Sequence, residues 1–74
     1  DMKHYNIQFA FNESTGVAGE HIRKVGVRAQ AEMIASKYAK RTGRNVDIFE
    51  VDTEQNRVIN RWIAFASTGG IWQN

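Results

Sequence analysis

Seventy-four residues hold at most one domain, and a chain this short buries only about 60% of the surface its unfolded form exposes. With no cysteine and no proline there is no disulfide or cysteine-bound metal to reinforce it, and no apolar run approaches the roughly 18 residues of a membrane span. Net charge is only +2 but is unevenly placed: residues 20–44 carry seven Lys/Arg against two Glu, whereas residues 45–74 carry four Asp/Glu against two Arg. A basic middle suits an acidic protein surface or a phosphate backbone, and equally a solvated helix face.

The first element is a strand. Tyr5, Ile7, Phe9 and Phe11 alternate with His4, Asn6, Gln8 and Ala10, the period-two pattern of a strand with one buried face. Asn12-Glu13-Ser14-Thr15-Gly16 is turn chemistry. His21 to Val27 forms a second, antiparallel strand, and the parity break between Ile22 and Val25 calls for a bulge or bend near Gly26. From Arg28 to Thr42 the period becomes helical, with Val27, Ala31, Ile34, Ala35 and Tyr38 on one face. Gly43 ends the helix, and Lys40 and Arg41 occupy the last turn, where cations suit the helix dipole.

Val46 to Val51 is apolar on both parities, as expected of a central strand with one face under a helix. Asp52 to Asn56 is a polar turn, Arg57 to Ala66 a fourth strand, and Ser67-Thr68-Gly69-Gly70 a tight turn leading to a short fifth strand at Ile71-Trp72-Gln73. The order is ββαβββ. We expect an α+β domain spanning 1–74, an antiparallel sheet of four to five strands with one helix packed on one face.

Little in the chain carries catalytic chemistry. His4 and His21 lie on neighbouring strands and could approach each other, but two histidines and scattered carboxylates fall short of a zinc site. Asp47, Glu50, Asp52 and Glu54 straddle a strand and a turn, so they read as a solvated strand end rather than an acid–base pair. No serine or threonine has a nucleophile-elbow context, no glycine run cradles a phosphate, and Asn12-Glu13-Ser14 is a glycosylation sequon without a secretion signal to give it meaning. We expect no enzyme activity and no cofactor.

The outward stripe of the helix is the more informative feature. Gln30, Met33, Lys37 and Lys40 share one edge, an apolar spot among long polar chains that fits a protein partner. Lys37, Lys40, Arg41 and Arg44 could instead follow a nucleic-acid backbone. Base stacking would need exposed aromatics on the sheet, and Trp62 and Trp72 are expected to be core anchors.

Three stretches resemble the ninth type I-F anti-CRISPR family, small phage or mobile-element proteins. Gln30-Ala31 and Ile34-Ala35-Ser36-Lys37 lie close to that family's helix, at a similar distance from Met2. Val46, Ile48 and Val51 fit the strand that follows. The closing Trp62-Ile63-Ala64-Phe65, three residues, Gly69, two residues, Trp72 keeps the family's spacing with conservative changes. The resemblance implies a sheet with one helix and an inhibitor that binds the backbone subunits of a type I CRISPR surveillance complex, in the bacterial cytoplasm. It implies occlusion of the surface where target DNA pairs with guide RNA, and non-specific duplex DNA binding promoted in that complex. Among the family's basic positions only Lys37 matches: Glu32 and Met33 on the helix, and Gly70 and Ile71 in the last turn, depart. The contacts would then be rebuilt around Lys40, Arg41 and Arg44, or the target would differ. A small nucleic-acid-binding or regulatory phage protein is the alternative.

Overall fold

A computed structural model describes residues 2–12, 14–17 and 19–74. Its elements are β1 (Lys3–Phe9), β2 (His21–Val25), α1 (Arg28–Thr42), β3 (Val46–Asp52), β4 (Arg57–Ala64) and β5 (Ile71–Gln73). The strands form one five-stranded sheet in the order β2-β1-β3-β4-β5, antiparallel at every pairing. The fold is therefore α+β with the expected ββαβββ order. No helix among the described residues is long and apolar enough to cross a membrane.

The helix lies on one face of the sheet. Tyr5, Ile7 and Phe9 of β1, Val46 and Ile48 of β3, and Trp62 and Ala64 of β4 meet Ala31, Ala35 and Ala39 there in one core cluster. All three alanines are fully buried. Their spacing of four puts them in one row along the helix, and their single methyls bring the backbone close to the sheet. Ile34 and Tyr38 flank the row and are half-buried, with the Tyr38 ring edge-on to Phe9 at 6.4 Å. β3 is central and buried along nearly its whole length, which accounts for its apolar character on both parities.

A bulge resolves the parity break in β2. Arg23 stands opposite Ile7 and His21 opposite Gln8, so Ile22 is the extra residue. That lets Ile22 and Val25, three apart, both pack against the core. The chain also bends at Gly26, where the expectation had been set. A second irregularity leaves Ile59 extra between the Glu50–Asn60 and Val51–Val58 pairs. Gly19 approaches β1 so closely that a Cβ there would collide with the Phe9 carbonyl, while the Phe9 amide donates to the Glu20 carbonyl at 2.9 Å.

Several boundaries differ from the sequence reading. β1 stops at Phe9, so Phe11 falls beyond the ladder and is exposed rather than buried. The Asn12 turn forms, with Asn12 Oδ1 accepting from the Ser14 and Thr15 amides. Glu13 of that turn lies outside the described residues. β2 and β4 end two residues earlier than expected, at Val25 and Ala64. Gly43 closes the helix at φ 73°, its amide donating to Ala39.

Val27 is corrected outright. It precedes the helix in extended backbone, φ −124° and ψ 128°, and is 59% exposed, so it belongs to no buried face. It occupies the N-cap position but has no side-chain oxygen to take up the free amides of the first turn. Val27→Ser or Val27→Asp supplies that acceptor and is expected to stabilise the domain by about 1 kcal/mol. Urea denaturation of the purified variants measures it, as a raised midpoint at unchanged slope.

Candidate functional site

Four residues of the basic stripe come together. Met33, Lys37, Lys40 and Arg41, with Ser36, line an open concavity of about 580 Å³ on the outer side of α1. The helical period sets this stripe opposite the alanine row, so seating the alanines on the sheet turns Met33 and both lysines outward. Met33 is 69% exposed, a large apolar side chain ringed by cations. Gln30 is exposed in the same stripe, one turn toward the helix N-terminus, and does not line the concavity.

Arg44 is separated from this group. It follows the helix, and its guanidinium lies 4.0 Å from the centre of the Phe9 ring. It lines a different hollow, of about 380 Å³, with Ala10, Phe11, Asn12 and Asn45. A cation held over an aromatic face in this way braces the end of β1.

The β4–β5 turn lies against Ser36 and Lys40 of the helix. Ser36 Oγ donates to the Gly69 carbonyl at 2.8 Å, tying the turn to the helix. Gly69 takes φ 74°, and a Cβ there would stand 2.6 Å from Lys40 Cδ and 3.1 Å from Ser36 Oγ. The bare glycine thus leaves room for the Lys40 stem to lie along the turn. Of the two adjacent glycines, only Gly69 needs the left-handed conformation.

The acidic group is corrected. Asp47 is 2% and Glu50 5% exposed, so neither belongs to a solvated strand end. Three residues apart on β3, they point to opposite faces. Glu50 lies on the helix side, where Asn60 Nδ2 donates to its Oε1 and the Tyr5 hydroxyl to its Oε2, each at 2.7 Å. Lys3 Nζ is 3.8 Å away, and Gln73 Nε2 donates to Asn60 Oδ1, extending the chain of bonds to β5. The Asn60 bond above all, then the Tyr5 bond and the nearby Lys3 charge, holds the Glu50 carboxyl below its usual range against the opposing effect of burial. The same Glu50 bond, reinforced by burial, raises the Tyr5 phenol. On the other face, Arg61 Nη2 lies 3.1 Å from both Asp47 oxygens. Asp52 and Glu54 remain at the turn, with Asp52 Oδ1 accepting the Glu54 amide.

The histidines do not approach each other. His21 stands opposite Gln8, four residues along β1 from His4. No cluster of three or more His, Asp or Glu able to hold a metal occurs among the described residues.

The tryptophans part company. Trp62 is 5% exposed and anchors the core, with the Arg28 guanidinium 5.0 Å from its ring centre. Trp72 is 66% exposed, contrary to expectation. Ala64 pairs with Ile71 and Ile63 with Trp72, so Ile71 turns toward the core and Trp72 to the face away from the helix. No family model, curated protein or solved structure matches this chain.

Two outcomes follow from this geometry. Gly69→Ala forces a side chain into left-handed backbone and against Lys40; a loss of about 1–2 kcal/mol is expected, read as a lower thermal midpoint. Glu50 has a depressed folded-state pKa, so its contribution is complete above its ordinary value of 4.5 and is lost as pH falls through the lower folded value. Stability measured by urea between neutral and acid pH should fall across that window, and Glu50→Gln should flatten the fall.

Proposed function

We propose that this protein is a phage-encoded inhibitor that binds a type I CRISPR surveillance complex in the host cytoplasm and blocks target DNA recognition by occupying its surface. The observation that carries the reading is the outward concavity of α1, where exposed Met33 is surrounded by Lys37, Lys40 and Arg41. An apolar centre within a polar, charged rim is the anatomy of a protein-binding patch. Cations on that rim complement an acidic patch on a protein partner. The likeness of the helix and the closing hairpin to the ninth type I-F family supplies the partner: the backbone subunits of such a complex.

Gln30, Met33, Lys37, Lys40 and Arg41 form the proposed contact surface, and Arg44 is assigned to bracing Phe9. Lys37→Glu combined with Lys40→Glu reverses two exposed charges without touching the core. The double variant is expected to keep its circular dichroism and a cooperative, modestly lowered thermal transition while losing co-elution with a purified surveillance complex and inhibition of its target DNA binding. Undiminished inhibition by the folded double variant would overturn the assignment.

The same cations favour a second reading, a regulator that binds duplex DNA directly. That reading requires gel shifts with free duplex that weaken steeply with salt. Binding seen only in the presence of the complex selects the first.

A further inference from the structure

The face of the sheet opposite α1 carries no covering element among the described residues. Phe49 stands half-buried at the middle of central β3, and Trp72 is largely exposed on edge strand β5. Strands about 4.8 Å apart and a rise of about 3.4 Å per residue place the two Cα atoms roughly 12 Å from each other. Phe49 is flanked across its pairs by Asn6 and Arg61, and Trp72 by Ile63. The Arg61 guanidinium lies 5.6 Å from the Phe49 ring centre. Lys24, opposite Asn6, adds an exposed cation on the same face. Asp47 is the one carboxylate among the described strand residues of this face, and it is buried against Arg61. The surface thus combines separated aromatic rings, side-chain amides and cations, with no carboxylate turned to solvent.

We propose that this open face binds single-stranded nucleic acid. Bases stack on Phe49 and Trp72, the Asn6 and Gln8 amides meet base edges, and Lys24 attracts the phosphates, while Arg61 stays paired with Asp47 beside the Phe49 ring. Stacking tolerates any base and needs unpaired faces, which a duplex does not offer. A second copy of this chain is a poorer occupant, because covering the face would strip water from Asn6, Gln8 and the Lys24 charge. The surface lies across the sheet from the helix concavity, so it is independent of the inhibitor reading.

Fluorescence anisotropy with labelled oligothymidylate of about 12 nucleotides, its abasic counterpart and a duplex of the same length tests the proposal. Saturable binding of the oligothymidylate is expected, preferred over both competitors and weaker at about 200 mM than at about 50 mM salt. Trp72→Ala should weaken it by about fivefold or more, the loss of one stacked base. Lys24→Glu, at an exposed edge, should weaken it as well, and the Lys37→Glu, Lys40→Glu double variant should bind as the parent does. Equal binding of the abasic strand or the duplex, or a folded Trp72→Ala variant with unchanged affinity, overturns the proposal. Absence of binding, or sedimentation showing a dimer that Trp72→Ala dissociates, overturns it too.

Discussion

The close seating of one helix on the sheet is the constraint from which the rest of the molecule follows. Ala31, Ala35 and Ala39 are buried completely, and each offers a single methyl to the strands beneath. A larger side chain at any of them would lift the helix and open the core it shares with Ile7 and Ile48. Close approach also fixes the rotation of the helix about its axis. Once the alanine row faces the sheet, Met33 and Lys37 turn to solvent, and Ser36 and the Lys40 stem meet the turn at Gly69. The chemistry of the outer surface is therefore an indirect product of the smallest residues in the core.

Beneath that contact, β3 carries a polar group toward each side of the sheet. Glu50 is held by Tyr5 and Asn60 on one side, and Asp47 by Arg61 on the other. Burying such charges brings little net stability, since desolvation offsets much of the attraction. Their effect is on geometry. The Glu50 bonds join β1, β3 and β4 at one end of the sheet, and the Arg61–Asp47 pair keeps that arginine beside Phe49.

The fold was legible because its signals are periodic. Tyr5, Ile7 and Phe9 announce a strand, and the helical period of Ala31, Ile34, Ala35 and Tyr38, ended by Gly43, announces the helix from Arg28 to Thr42. Single positions were harder wherever register decided the outcome. The burial of Trp62 and the exposure of Trp72 depend on Ala64 pairing with Ile71, which composition does not reveal. Phe11 continued the strand alternation by identity, yet the ladder had already ended. Asp47 and Glu50 looked solvated because their partners, Arg61, Tyr5 and Asn60, are remote in sequence and close only once β1 and β4 flank β3. In the candidate site, the helical spacing put Gln30, Met33, Lys37 and Lys40 on one edge; Met33 and the two lysines line one concavity with Arg41, and Gln30 lies a turn away. Arg44 left the group because the chain turns at Gly43 and delivers it to Phe9.

The bulge at Ile22 has a consequence beyond repairing the pattern of β2. A sheet with two open margins is a template on which further chains can polymerise. Here one margin is a strand of only three residues, Ile71–Gln73. The other, β2, is interrupted at Ile22 and carries Arg23 and Lys24 just beyond the interruption. Neither offers an incoming strand a long, flat and uncharged run of backbone. Both margins are therefore poor templates for fibril growth.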